Sequence, residues 1–165
     1  MTRESTTRLL AACLSSLAWI VMSWATPAAA REIPANGMTA EEVADWLREA
    51  GLPATVKPDP STPGDQIISS SADGVNFDIY MYACDHGRCP SLQYAAGWSD
   101  IKVPPEKIAE WDRTKRYIRA YVGSSGSWWG EYDIDVAPGG TYESLGHSLA
   151  RWRDMVVEFK TFIGQ

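Results

Sequence analysis

The sequence contains few of the side chains on which most catalytic and metal sites depend. It has two histidines, His86 and His147, and three cysteines. A structural zinc ion takes four ligands, whereas Cys84, His86 and Cys89 supply three, with no second Cys/His pair to complete them. The sequence also lacks a Gly-x-Ser-x-Gly elbow, a His-Glu-x-x-His helix and a Walker loop. We therefore expect no metal, no cofactor and no enzymatic activity.

Positive charge is scarce as well. Fifteen Lys and Arg residues stand against 21 Asp and Glu residues, a net charge of −6, and residues 31–165 alone carry thirteen against twenty, a net charge of −7. Nucleic acids and anionic membrane surfaces are bound through basic patches. The charge balance therefore argues against a nucleic-acid partner and against an anionic lipid surface.

A long apolar run is the third absence. The longest, Leu9–Trp24, has about sixteen residues, fewer than the roughly 20 of a membrane-spanning helix. Two arginines precede it and Ala28–Ala30 follows it, which is the order of a cleaved secretory signal. We expect cleavage after Ala30 and no stable membrane insertion afterwards. Residues 31–165 then form one periplasmic or secreted domain.

The N-terminal segment has two other interpretations. Leu10–Cys13 resembles a lipoprotein box, but most of the apolar run follows Cys13 instead of preceding it. An uncleaved anchor is the other, and the short apolar run argues against it.

Two cysteines, Cys84 and Cys89, lie outside this segment. Exported proteins fold in an oxidising compartment, where such a pair usually forms a disulfide. If the two face each other across a hairpin, the register of both strands is fixed, because antiparallel residues pair one for one. One face then holds only uncharged pairs: Met81–Leu92, Ile79–Tyr94, Phe77–Ala96 and Val75–Trp98. The other face is the more polar: Tyr82–Ser91, Tyr80–Gln93, Asp78–Ala95 and Asn76–Gly97.

This sorting of apolar from polar residues favours a disulfide that staples the hairpin. A redox centre and a metal site are the alternatives. Redox-active pairs usually read Cys-x-x-Cys at a helix N-terminus, whereas four residues separate these cysteines. Those four residues, Asp85–Arg88, have the composition of a turn.

Three stretches have the periodicity of helices. Thr39 and Glu42 form a capping box at the start of the first, and Pro104 and Pro105 open the second. The third carries one apolar stripe with spacings of three and four residues: Leu145, Leu149, Trp152, Val156, Phe159 and Ile163. Such a stripe is typical of a helix packed on a sheet, and a partner helix or a dimer seam is the alternative.

Strands fill the intervals between the helices. Residues 54–57 and 66–72 form short strands, and Asp73-Gly74 predicts a tight turn into the next strand. A second hairpin joins 117–122, with Ile118, Ala120 and Val122 on its apolar side, to 128–136. We therefore expect an α+β fold, with an antiparallel sheet built from hairpins and packed against an N-terminal, a middle and a long C-terminal helix.

The outward side of the second hairpin pairs Arg119 with Glu131 and Tyr121 with Trp129, and both pairs are favourable across strands. It also carries the acidic series Glu131, Asp133 and Asp135. This series is either a cation site or, as the alternation favours, the solvated face of a strand.

The segment Cys84-x-x-Gly-Arg-Cys-x-Ser-Leu-Gln-Tyr-x-Ala-Gly-Trp98 resembles the central hairpin of exported proteins of the YbjN family. Similar matches are Trp111-Asp, Arg116-Tyr-x-Arg-Ala-Tyr121 and Asp133-x-Asp135 before a long Trp-bearing helix. The resemblance covers roughly residues 38–163. It implies a fold like that of type III secretion chaperones, often dimeric, and a role as a bacterial sensory-transduction regulator. It carries no catalytic residues.

The leading hypothesis is a non-enzymatic module that binds another protein of the cell envelope, or a second copy of itself. Its interaction surface would contain the aromatic residues on the polar faces, Tyr80, Tyr82, Tyr121 and Trp129. These rings could instead sit under loops or under the last helix. The alternative function is a small-ligand sensor with a pocket lined by Trp98 and Trp128. An enzyme is a third hypothesis. Asp133 and Asp135 could then do acid–base work, which requires unequal, shielded environments for the two carboxyls.

Overall fold

The computed structural model describes residues 30–99, 101, 103, 104 and 106–165, so the predicted signal segment lies outside the described residues except for Ala30. The described chain has the predicted order of elements: α1 (Ala40–Glu49), β1 (Ala54–Pro58), β2 (Gln66–Ala72), β3 (Val75–Tyr82), β4 (Ser91–Trp98), α2 (Glu106–Thr114), β5 (Arg119–Val122), β6 (Trp128–Asp135) and α3 (Tyr142–Phe162). The α+β fold is confirmed.

The strands form one six-stranded antiparallel sheet in the order β1-β2-β3-β4-β6-β5. The registers predicted for the two hairpins are confirmed at their centres. Met81 lies opposite Leu92 and Tyr80 opposite Gln93, while Tyr121 lies opposite Trp129. What joins the hairpins is the pairing of β4 with β6, from Ser91↔Asp135 to Trp98↔Trp128.

The pairing of β3 with β4 is shorter than predicted. It ends at Asp78↔Ala95, so the predicted pairs Asn76–Gly97, Phe77–Ala96 and Val75–Trp98 were wrong. At that end β3 stays with β2 as far as Ala72↔Val75, and β4 stays with β6. The tight turn at Asp73 and Gly74, both with positive φ, holds the start of β3 against β2. The two strands therefore separate there into a fork.

All three helices pack on one face of the sheet, the inner face. Thr39 and Glu42 form the predicted capping box of α1. The stripe of α3 is buried from Leu145 to Ile163 together with the inner face in one core cluster. This placement confirms the core interpretation of the stripe, and it excludes the stripe residues from a dimer seam because they are already covered within the chain.

Aromatic rings fill the core. Trp152 of α3 stacks on Tyr94 with a centroid distance of 5.6 Å, and Phe159 contacts Trp98 at 5.6 Å and Trp111 at 4.9 Å. Trp128 is also buried. Trp98 is partly buried at the border of this cluster and lines a groove, whereas Trp128 is packed inside the cluster. The prediction of a pocket that both residues line was therefore wrong for Trp128.

Val122 departs from its predicted environment. The alternation of its strand places it on the apolar side with Ile118 and Ala120, which are buried, yet Val122 is 41% exposed. It is the last residue of β5, which is an edge strand. A side chain at the end of an edge strand has neighbours on one side only, so the inner face does not cover it.

The tip of the β3–β4 hairpin is docked onto the segment before α1. Cys89 and Met38 exchange backbone hydrogen bonds of 2.8 and 3.1 Å. The guanidinium of Arg88 donates to the carbonyl of Gly37 at 2.7 Å and to Glu42 at 2.8 Å. Gly37 has a φ of 89° and a Cβ there would run into the Cys89 backbone. The docking therefore requires glycine at position 37.

We expect acid to weaken this docking. Burial raises the pKa of Glu42, but hydrogen bonds from the Thr39 backbone and from Arg88 outweigh it and hold the pKa below its ordinary value. A lowered folded-state pKa adds stability above the unfolded-state pKa, and that stability is lost as the pH falls through the folded-state value. Urea unfolding from pH 6 to pH 3 should therefore show a steeper loss of stability for wild type than for Glu42→Gln. Parallel curves for the two proteins would contradict this.

Candidate functional site

The candidate site is the outer face of the sheet, which is the face opposite the helices. Successive side chains of a strand point to opposite faces, and cross-strand partners share a face. The strand registers therefore place one set of residues together there: Thr55, Lys57, Ile67, Ser69, Ser71, Asn76, Asp78, Tyr80, Tyr82, Ser91, Gln93, Ala95, Gly97, Arg119, Tyr121, Trp129, Glu131, Asp133 and Asp135.

No helix of the described chain contributes to this face. The buried side chains of α1, α2 and α3 all belong to the inner core cluster, whereas Ile67 and Ala95 of the outer face are buried without being part of it. The side chains of the outer face therefore cover one another.

The four aromatic residues predicted as an interaction surface all lie on the outer face. Tyr82 is 46% exposed, and Tyr80, Tyr121 and Trp129 are half-buried. None of them lies under α3, which packs on the opposite face. Burial is the main cause of a raised pKa at both Tyr80 and Tyr82, and nearby carboxylates add to it. Both hydroxyls therefore stay protonated at neutral pH.

A polar network joins the two hairpins across this face. The Tyr82 hydroxyl donates to Gln93 Oε1 at 3.2 Å. Gln93 Nε2 donates to Asp133 at 2.8 Å and to Glu131 at 3.3 Å. The Tyr121 hydroxyl donates to Glu131 Oε1 at 2.6 Å. The network thus places Tyr82 and Tyr121, which are 39 positions apart in the sequence, at its two ends.

Glu131 is the buried centre of this network, with an exposure of 7%. Its carboxylate accepts hydrogen bonds from Arg119, Tyr121 and Gln93. The bond to Glu131 is the main cause of the raised pKa of Arg119, and burial followed by the bond to Glu131 raises the pKa of Tyr121. The interpretation of Glu131 as part of a solvated strand face was therefore wrong, because its neighbours desolvate it and pair it.

The rest of the acidic series has separate partners. Asp133 accepts from Gln93, and Asp135 accepts from Ser91 at 2.6 Å. Among the described residues, no three His, Cys, Asp or Glu side chains are grouped as a metal site. The predicted pair of Asp133 and Asp135 is also exposed, so neither carboxyl has the shielded environment that acid–base catalysis needs.

A groove of about 580 Å³ lies at the fork between β3 and β4. Ser69, Ser71, Asn76 and Asp78 line one part of it, and Gly97 and Trp129 line another. The sequence does not predict this groove, because the register that closes the disulfide extends the pairing of β3 with β4 to the ends of both strands. The only sequence signal for it is the run of small residues that alternation places on the outward side of β2 and β4.

The sulfur atoms of Cys84 and Cys89 lie 2.08 Å apart, at disulfide distance. Cys84 is exposed and Cys89 is buried. The two histidines do not come together with a nucleophile: His86 is 95% exposed beside Asp85, and His147 is 75% exposed beside Glu143. Within the described part of the chain, no helix is both long and apolar enough to cross a bilayer.

The fold and its outer face define a small α+β protein with one sheet face that no described helix covers. Comparison with protein-family models matches residues 39–165 to the YbjN family, described as "Putative bacterial sensory transduction regulator". This chain belongs to the YbjN family. No curated protein matches the chain.

Proposed function

We propose that this chain is an exported, non-enzymatic regulatory module that binds a protein of the bacterial cell envelope through the outer face of its sheet. The family description as a sensory transduction regulator is compatible with such a role. The observation that carries the proposal is that Tyr80, Tyr82, Tyr121 and Trp129 share a face on which no described helix packs. Aromatic residues are enriched in interface cores.

The Tyr82 end of the face is the proposed centre of the contact. Its ring is 46% exposed while its hydroxyl is held by Gln93, so the side chain is already ordered before a partner arrives. Ordering a flexible side chain on binding costs about 0.5–1.5 kcal/mol, and the hydrogen bond removes part of that cost. Asp133 and Asp135 next to it are exposed acids, which favours a partner with basic residues at this point.

Export is the second part of the proposal. The order of the first thirty residues supports it, and so does a cysteine pair at disulfide distance, since disulfides persist in the periplasm and outside the cell. N-terminal sequencing of the protein recovered from a periplasmic fraction is the test. We expect Arg31 as the first residue, and recovery of the whole chain in the cytoplasm would contradict export.

We expect replacement of Tyr82 to abolish partner capture without unfolding the protein. Cells that express the whole sequence with an affinity tag are crosslinked, and captured proteins are identified by mass spectrometry. Truncation of a central interface aromatic costs about 2 kcal/mol or more of binding free energy, so Tyr82→Ala should reduce the captured partner about thirtyfold. Val157→Ala, on an exposed side of α3, is the matched control and should capture the partner like wild type.

The outcomes separate the hypotheses. A dominant envelope protein that untagged chain competes away, and that Tyr82→Ala loses, supports the proposal. Capture of the chain by itself alone would replace the envelope partner with a homodimer. A partner retained by both Tyr82→Ala and a Tyr80→Ala, Tyr82→Ala double variant would exclude this surface.

A further inference from the structure

The indole of Trp129 lies flat on the outer face. A Cβ built at Gly97 would stand 3.0 Å from Cε2, from Cε3 and from Cη2 of that indole. These are three alternate atoms of the six-membered ring, so equal distances place the Gly97 Cβ position on the axis of the ring. At the other end of the indole, a Cβ at Gly123 would stand 3.2 Å from Nε1. One face of the ring therefore lies against Gly97, and the pyrrole edge of the ring reaches Gly123.

Trp129 is half-buried, and it is one of the residues that line the groove. Aromatic rings laid over glycines are a known device for stabilising strands, and packing alone accounts for the contact with Gly97. It does not account for the polar groups that surround the ring. Ser71, Asn76 and Asp78 line the same groove, and they bring hydroxyl, amide and carboxylate groups beside an apolar platform.

Among the described residues, the charges of the groove lining balance. Lys57 and Asp78 are the charged residues of this described lining, and they lie 3.3 Å apart as an ion pair. An anionic ligand would have to compete with Asp78 for Lys57, and a cationic ligand would have to compete with Lys57 for Asp78. The lining therefore matches a neutral ligand that is rich in hydroxyl groups.

We propose that this groove is a saccharide site, in which a pyranose ring of a neutral oligosaccharide stacks on Trp129 while Asn76, Asp78 and Ser71 bind its hydroxyls. A pyranose has one relatively apolar C–H face and a rim of hydroxyls, which is the same division that the groove presents. A peptide strand fits less well. The fork exposes about three residues of each strand, from 75 to 77 and from 96 to 98, whereas strands usually pair over about five to six.

This inference does not depend on the proposed protein partner. The groove lies on the Trp129 side of the face, and Tyr82 is not among its lining residues. Tyr82→Ala therefore tests the protein contact, whereas Gly97→Ala tests the saccharide site.

The test is a titration of the protein, expressed from the whole sequence and labelled with ¹⁵N, with cellohexaose, chitohexaose, laminarihexaose and maltohexaose. We expect at least one hexasaccharide to shift the indole N–H signal of Trp129, which Trp129→Phe assigns. Because truncation of an anchoring Trp usually costs more than about 1 kcal/mol, Trp129→Ala should weaken that affinity about fivefold or more. Asn76→Ala should weaken it less.

Gly97→Ala provides the sharpest variant, because it keeps Trp129 and adds only a methyl group. Gly97 does not have a positive φ, so its backbone accepts alanine, but the methyl would stand on the axis of the indole ring and tilt it away from the sheet. We expect the saccharide affinity to fall several-fold while the fold is retained. Tyr82→Ala is the control and should bind the saccharide like wild type.

Three results would overturn the saccharide site. The first is that none of the four hexasaccharides shifts the Trp129 signal at millimolar concentration. The second is equal affinity in wild type, Trp129→Ala and Gly97→Ala. The third is a Trp129 signal that changes with protein concentration and not with sugar, which would mean that a second copy of the chain occupies the groove.

Discussion

Replacing Trp152 with alanine is expected to lower the free energy of unfolding by about 3–5 kcal/mol, which is the range for large aromatic residues truncated in a core. Trp152 is completely buried. Its ring stacks on Tyr94 and meets the edge of Phe77 at a centroid distance of 5.9 Å. A loss of this size is a large part of the 5–15 kcal/mol that stabilises most native proteins. Urea unfolding followed by circular dichroism measures it.

Two further variants keep the Trp152 prediction testable if the alanine variant does not fold. Within the described residues, the indole N–H of Trp152 has no hydrogen-bond acceptor. Trp152→Phe removes that buried polar group together with part of the ring, so its cost should be well below that of the alanine variant. Val157→Ala, on the exposed side of the same helix, should stay within about 0.5 kcal/mol of wild type. A loss in Trp152→Ala no larger than that in Val157→Ala, or a loss in Trp152→Phe as large as that in Trp152→Ala, would contradict the central place of this ring.

The second large effect concerns the cysteine pair. We expect the Cys84→Ser, Cys89→Ser double variant to lose about 2 kcal/mol of stability, because the disulfide closes a six-residue loop and restricts the unfolded chain. The hairpin tip also holds the segment before α1 through Met38 and Arg88. Loosening the tip should therefore release that segment too, and hydrogen exchange at the Met38 amide should rise in the double variant.

Reduction of the wild-type protein supplies the matched comparison. Urea unfolding of wild type in reductant should coincide with that of the double variant, and the double variant itself should not respond to reductant. Equal stability of oxidised wild type and double variant would mean that the pair does not staple the hairpin. The hydrogen-exchange rate of the assigned Met38 amide then shows whether Arg88 holds the segment before α1 without the disulfide.

The two proposed sites lie toward opposite ends of the strands on the outer face. Tyr80 and Tyr82 belong to β3, near the exposed acids of β6, and serve the protein contact. Trp129 lies over Gly97 beside the fork and serves the saccharide. Glu131 stands between them, buried and bonded to Arg119 and Tyr121. It links side chains of β4, β5 and β6 through the bonds that it accepts from Gln93, Arg119 and Tyr121.

The sequence by itself determined the elements and the centres of both hairpins. These depend on short-range patterns: a capping box at Thr39, a tight turn at Asp73, and alternation on either side of the turn between Cys84 and Cys89. Local hydrogen bonds and side-chain periods of two or 3.6 residues enforce such features within a few positions. The stripe of α3 was interpreted correctly for the same reason, since one helix face must be covered by the sheet.

Only the tertiary structure decided how the hairpins meet and what their outer face offers. The pairing of β4 with β6 joins segments about thirty to forty-five positions apart, and no local pattern specifies which strand becomes the neighbour of β4. That pairing keeps β4 with β6 while the turn at Asp73 keeps β3 with β2, and the fork and its groove result. It also brings Gln93 beside Glu131. The alternation of β6 alone could not predict that Glu131 is buried, because burial of a side chain depends on neighbours from strands that are distant in sequence.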